Sequence, residues 1–353
     1  MKGGKPTERS ELFLSCDLVG STAYKQRESQ ASRTSSDGGT GAHGAGLRRV
    51  WQQTFMDFYR TFPQMVGELE VNANKHLPDD RKVHFELWKP IGDELIFTVH
   101  VQHEKQVSTA VDLWLDALDM YARNLEPFNM STKGAAFIAT FPGPDSEVAV
   151  PREPGQTPSQ DENVILLNDA AFRGQRKMSK FVYDYFGPSI DTGFRISNVA
   201  TPRYFPISVE VAWALLIAQS DTQTRKWDDL VYRGGHEFKG VWSGRDYPLF
   251  AIDRHHADDV NAAVHKLIGD KLDIGNAIEL CQSCAETPDW PSHIFLSGSG
   301  HDPFINKPGD PLKPYREASD MTGVERNSGG LGNEELPDVT SFEDTPGDDA
   351  AGQ

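Results

Sequence analysis

Two carboxylates, Asp17 and Asp93, stand where a metal-nucleotide site would need them. The stretch LFLSCDLVGST, residues 12–22, reads as a buried strand that ends by presenting Asp17 to a tight turn. Leu12, Phe13 and Leu14 supply the apolar run of a central strand. Gly20 lets the backbone turn sharply, so that the amides of Gly20, Ser21 and Thr22 can face phosphate oxygens. The competing reading of Asp17 is a cap on the next helix. A second carboxylate bears on that choice: in VHFELWKPIGDELIFTVHV, residues 83–101, two strand-like runs flank Pro90-Ile91-Gly92-Asp93 and predict a hairpin with Asp93 at its tip. If these strands are neighbours, the two carboxylates meet at one sheet edge and can share divalent ions, as phosphoryl transfer requires.

The elements that must position them follow from periodicity. Residues 24–46 are rich in Ser and Gly and read as a mobile loop. A helix is expected from Leu47 to Asn74, with Trp51, Phe55, Phe58 and Phe62 on one face, and another from Lys105 to Leu125. A strand over 132–141 completes the order strand, helix, strand, strand, helix, strand. That is the ferredoxin-like split βαβ order of an α+β domain, in which the first and third strands are neighbours. Residues 142–163 read as a Pro-rich surface insertion, Asp169–Tyr183 as helix, FPISVEV as strand, and an apolar helix runs to Gln219. Residues 232–253 form a closing hairpin, and one or two helices follow to Leu296.

Bulk composition sets further bounds. The 353 residues carry a net charge of −17, which disfavours general nucleic-acid binding through a basic surface. Residues 302–353 hold 12 acidic and 4 basic side chains, so the tail is expected to be disordered. No stretch reaches transmembrane length and the first residues lack an apolar leader, which predicts a cytoplasmic protein without membrane insertion. Cys16, Cys281 and Cys284 are too few for a disulfide framework. The CxxC at 281–284, with His293 and His301 downstream, is read as an ordinary helix face in preference to a zinc site.

Over residues 10–253 the chain resembles a class III nucleotidyl cyclase catalytic domain, through four motifs in the family's order. The strand end and the GD-tipped hairpin match the family's metal aspartates, Asp17 and Asp93, with the carbonyl of Leu18 as a further donor. Gly187 to Arg195 matches the family's GxxVNxAxR helix, which implies a transition-state role for Arg195 and puts Asp191 where the family has a ribose-orienting asparagine. Lys239, in EFKG, matches the triphosphate lysine, and Lys89 with Asp184 the base-reading pair. A lysine donor beside an aspartate acceptor suits adenine, cytosine or uracil. Tyr185, Phe186 or Leu87, taken to share a strand face with Lys89, could fill the volume that a pyrimidine leaves.

At the whole-chain level the sequence resembles the pyrimidine cyclases of bacterial Pycsar antiphage systems. That resemblance implies conversion of UTP to cyclic UMP, with CTP the alternative, by two manganese or magnesium ions per site. It also implies a homodimer with sites at the interface and a separate effector that reads the cyclic nucleotide. The domain plan is then a catalytic domain over 10–253 with mobile insertions at 25–46 and 142–163, a helical appendage over 254–300 and a disordered tail over 301–353. An adenylate cyclase, a GGDEF-type diguanylate cyclase suggested by GDELIF at 92–97, and a non-catalytic nucleotide-binding module are the remaining readings.

Overall fold

Strand β1 (Arg9–Val19) is the element on which the rest assembles, and most of its side chains are buried. The computed structural model describes residues 8–36, 51–153, 176, 178–255, 258–268 and 272–315. The chain divides into a unit over Met1–Leu312 and a second over Lys313–Gln353, of which only residues 313–315 are described. In the first unit β2 (Phe85–Ile91), β3 (Glu94–Val101), β4 (Ser131–Lys133), β5 (Ala136–Phe141), β8 (Tyr204–Ile207), β9 (Leu230–Glu237) and β10 (Asp246–Asp253) join β1 in one sheet. Its order is β2-β3-β1-β5-β8-β10-β9, with β4 also on β1, while β6 (Ser146–Pro151) and β7 (Phe181–Phe186) pair separately. The first and third strands are therefore neighbours, and the split βαβ order is present.

Alternation along β1 sorts its side chains between two cores. Leu12, Leu14, Cys16 and Leu18 join the larger core with side chains of α2 (Trp51–Asn74), α3 (Glu104–Leu125), α5 (Val209–Ala218) and α7 (Ile274–Glu286). Phe13 points the other way, into a smaller aromatic core with Phe137, Tyr185 and Ile190, against which Trp88 and Phe194 pack. Phe13 and Phe137 stack at 4.9 Å between centroids. This second core carries β7 and α4 (Pro188–Ser197) on the face from which Asp17 projects.

Several expectations are corrected. Residues 21–36 form α1 (Ser21–Ser36), because Ala23, Lys25, Gln26, Arg27 and Glu28 are good helix formers despite the serines around them. Residues 37–46 lie outside the described set. Within 142–163, residues 146–151 pair as β6 against β7, helped by the alternation in SEVAV, and 154–163 are not described. Residues 181–183 are strand, since β-branched and aromatic residues dominate FVYDYF, while 169–175 are not described. Val209 to Val211 begin helix α5 because Ser208 caps it, accepting the Val211 N–H at 3.4 Å.

The segment after β10 is woven into the first unit. Helix α6 (Asp259–Ile268) precedes α7, whose Cys281 and Cys284 are buried. Burial pushes both thiols up, Cys284 to about 12, and no His, Cys, Asp or Glu cluster suited to a metal occurs among the described residues. Residues 301–315, expected to belong to a disordered tail, are described: Phe304 is fully buried and packs edge-on against Trp213 at 4.8 Å. The Leu296 N–H donates to the Phe304 carbonyl at 2.6 Å, so residues around Phe304 are tied down by backbone as well as by this ring. Residues 316–353 lie outside the described set, and no described helix is long and apolar enough to cross a membrane.

Candidate active site

The antiparallel register between β1 and β3 places Asp17 directly opposite Glu94, one residue from Asp93. The Leu18 N–H donates to the Asp93 carbonyl at 3.4 Å, which ties the two aspartate-bearing segments together at the backbone. Tyr59 of α2 donates its hydroxyl to the Gly92 carbonyl and so props the hairpin tip, where Gly92 adopts φ +60°. On the other side of β1, Lys133 of β4 pairs with Asp17 in the ladder, and its Nζ lies 3.2 Å from Asp17 Oδ2. A row Glu94, Asp17, Lys133 thus crosses three strands on one face. Lys25 Nζ approaches Asp93 Oδ2 at 3.9 Å and sits 4.3 Å above the Phe55 ring.

Negative charge is in excess here. Burial, and then the neighbouring Asp17 charge, push the Glu94 carboxyl above its usual range, while Ser15 and Lys133 act against this and Asp93 with it. These three carboxylates, two of them met by lysines, are oxygen donors of the kind a hard divalent cation takes, although as placed they do not form a ready three-ligand metal group. Asp17 and Asp93 would hold it, with both side chains about a quarter exposed at 28% and 27%. Leu18 lies beside Thr132 in the β1–β4 ladder. Gly20 turns at φ +85° into the N-terminus of α1, where Ser21 is buried and Thr22 exposed.

Lys89 and Asp184 meet. Lys89 Nζ donates to Asp184 Oδ1 at 2.7 Å and Oδ2 at 3.0 Å, and lies 4.0 Å above the Trp88 ring. A bulge at Trp88 shifts the register of β2, so Leu87 faces Phe97 while Lys89 faces Ile96. Leu87 therefore lies on the opposite face from Lys89, contrary to the alternation expected from sequence. Behind Asp184, Arg176 binds Glu147 at 2.6 Å and the Tyr185 hydroxyl at 3.1 Å, and burial pushes the Tyr185 hydroxyl up to about 12.

Helix α4 is seated by features that sequence reasoning passed over. Gly187, at its N-cap, has no side chain to offer, and Asp145 takes the role: its Oδ1 accepts the Ser189 N–H at 3.0 Å and the Ile190 N–H at 3.4 Å. Burial pushes the Asp145 carboxyl up to about 6 against these hydrogen bonds. Gly193 lies so close to the sheet that a Cβ there would fall 2.2 Å from the Phe137 ring. The helix leaves Asp191 and Arg195 exposed, and Arg195 has no side-chain hydrogen bond or ion pair among the described residues.

Lys239 is not at the carboxylate end. Strand β1 runs towards Asp17, whereas β9 runs the other way and reaches Lys239 just past its far end. Four interstrand gaps separate β1 from β9, roughly 19 Å at the ordinary spacing. One chain thus carries Asp17 and Lys239 at opposite ends of its sheet, Asp17 on an inner strand and Lys239 just past the edge strand β9. The missed residues Glu94, Lys133 and Lys25 had weak signals: Glu94 adjoins Asp93, and Lys133 precedes the glycine that breaks the strand into β4 and β5.

No protein-family model matches the sequence, and no curated protein is significantly similar to it. Among solved structures the chain is similar to the adenylyl cyclase CyaB from P. aeruginosa, at 9% identity over 69% of this chain and 94% of that one, with a TM-score of 0.39. It is also similar to the guanylate cyclase domain of RhGC from Catenaria anguillulae in complex with GTP, at 11% identity, 70% and 100% coverage and a TM-score of 0.40. For the guanylyl cyclase Cya2 the values are 13%, 71%, 93% and 0.38.

Proposed function

We propose that this chain is a nucleotidyl cyclase that converts a nucleoside triphosphate to a 3′,5′-cyclic nucleotide and pyrophosphate, at a site completed by a second copy of itself. The observation that carries the reading is the carboxylate end, where Asp17 faces Glu94 across the ladder beside Asp93. The cation-bearing positions Arg195 and Lys239 lie on the same chain, and a twofold axis would bring the Lys239 end of one sheet to the Asp17 end of another.

In this reaction the ribose 3′ oxygen bonds to the α-phosphorus, the bond from that phosphorus to the bridging oxygen breaks, and the hydroxyl proton leaves to solvent. Two divalent cations, manganese or magnesium, would lower the 3′-hydroxyl pKa and neutralise the phosphates when bound by Asp17 and Asp93, with the Leu18 carbonyl as a further donor. Amides of Gly20, Ser21 and Thr22 would receive phosphate oxygens at the start of α1. Arg195 would meet charge on the equatorial oxygens, since its planar guanidinium stays charged and binds two at once, and Lys239 would meet the leaving pyrophosphate. Asp191 would accept a ribose hydroxyl. Lys89 and Asp184, already paired, would open to offer one donor and one acceptor to a base edge.

The finer reading is a pyrimidine substrate, UTP before CTP, with the cyclic product acting in antiphage defence through a separate effector. Its support is the whole-chain resemblance, together with the Trp88 ring 4.0 Å from Lys89 Nζ. Offering the purified protein each of the four ribonucleoside triphosphates with manganese, and weighing the products, tests both levels. Cyclic UMP is expected; cyclic CMP or cyclic AMP would correct the base, a cyclic dinucleotide would favour the diguanylate reading, and binding without turnover would leave a nucleotide-binding module.

A further inference from the structure

Away from the candidate active site, a cavity of about 340 Å³ opens between α5, α7 and residues 292–306. At its inner end Glu210 is only 3% exposed. Its Oε1 accepts the Trp290 indole N–H at 2.8 Å, but Oε2 lacks a hydrogen-bond partner of good geometry, although the Ser208 and Ser292 hydroxyls stand near the carboxyl. The Trp213 indole N–H beside it is also buried without a partner. Burial pushes this carboxyl up towards its neutral form, and a cation placed at the open oxygen would restore its charge.

The walls indicate what that is. Glu286 and Asp302 stand exposed at the rim, no lysine or arginine lines the cavity, and its histidine, His293, is engaged through Nε2 with the Asn306 carbonyl at 2.9 Å, so the charge disfavours an anion. No described His, Cys, Asp or Glu triad is close enough for a metal ion. The rest of the wall is mixed, with Val209, Trp213, Ile294 and Pro303 offering apolar surface and Gln282, Ser292 and Asn306 polar groups. Carboxyl groups at the two ends of a passage that is apolar in part complement two ammonium groups joined by methylenes, the mixed wall accepting both the chain and further N–H groups. We propose that this cavity binds an aliphatic diamine or polyamine, with one ammonium on Glu210 and another at the Glu286–Asp302 rim.

Isothermal titration of the full-length chain with diaminobutane, diaminopentane and spermidine at physiological ionic strength tests the site, with butanediol and magnesium as controls. Saturable one-site binding of at least one amine, and of neither control, is expected. Glu210→Gln should weaken it about tenfold or more. Ala285→Trp, at an exposed position of α7 on the cavity wall, should close the mouth without disturbing the core. Absence of saturable binding to the unaltered protein overturns the proposal, as does unchanged affinity in Glu210→Gln, which would mark diffuse attraction to an acidic surface. Should Glu210→Gln fail to melt cooperatively, unchanged affinity in Ala285→Trp overturns it instead.

Discussion

The two halves of the candidate active site carry opposite charge and are treated oppositely by the fold. At the carboxylate end, Asp17 and Asp93 are each approached by a lysine, Lys133 and Lys25. On the helix α4 side, Arg195 is exposed without a side-chain partner among the described residues, and Lys239 is exposed beyond the far end of β9. In the proposed reaction the carboxylate half would await a cation and is held in check by local counter-charges, whereas the other half would meet phosphate and is left open. The contrast is what the proposed arrangement asks for, in which each half would be completed by the opposite charge of a second copy.

The sharpest way to break this comparison is complementation. Asp17→Ala and Arg195→Ala should each reduce turnover by roughly 10²–10³-fold or more, since each removes a group that meets transition-state charge or its counter-ion. Mixing the two inactive chains should restore activity at one composite site in those pairs that combine an intact Asp17 with an intact Arg195. An absence of rescue in a mixture shown to exchange subunits would sink the shared-site arrangement.

The next effect concerns the cation half alone. Gly193→Ala introduces a Cβ 2.2 Å from the Phe137 ring, so α4 or the ring must move. Overpacking of this kind costs about 1–3 kcal/mol, and thermal melting should fall by several degrees. Because α4 also carries Arg195, turnover should fall further than the loss of folded protein explains; a melting temperature equal to the parent's would show that the close approach is not needed.

Asp145, which anchors the same helix, supplies a pH signature. Its carboxyl is pushed up to about 6 from 3.8, so between these values the folded chain holds a proton that the unfolded chain has lost. Its contribution to stability is therefore present at low pH and falls by roughly 3 kcal/mol as pH rises from about 4 to about 6. Denaturant titrations of the parent and of Asp145→Asn across that range should show the difference between them shifting in favour of the variant as pH rises. A difference independent of pH would mean that the carboxyl titrates normally.

How far the sequence made this arrangement legible depends on whether a signal is local. Asp17 and Asp93 were readable because an apolar run ending in Asp, and a Gly-Asp tip between strand-like runs, each lie within a few residues. Helix α1 was hidden because serines drew attention from the helix formers among them, and β6 because its alternation is short and bounded by prolines. What tertiary pairing decides was not readable: the bulge that turns Leu87 away from Lys89, the remote cap that Asp145 gives α4, and the seat of Gly193 on Phe137 each depend on a partner distant in sequence. The row Glu94, Asp17, Lys133 belongs to the same kind, since register alone aligns it.

The smallest effect tests whether the lysines really stand in for a cation. Lys133 Nζ is 3.2 Å from Asp17 Oδ2, yet both side chains are over a quarter exposed, so water screens the pair. Lys133→Gln should leave the fold intact and raise the Glu94 carboxyl further, because Lys133 holds it down. A divalent cation would then meet a more negative site with no ammonium to displace. Titration of manganese without nucleotide, followed by water-proton relaxation, should show half-saturation at a concentration about two- to threefold lower than for the parent. Weaker binding in the variant would mean that Lys133 organises the carboxylates for the metal, and the counter-charge account of this end would have to be replaced by one in which the lysine is part of the site.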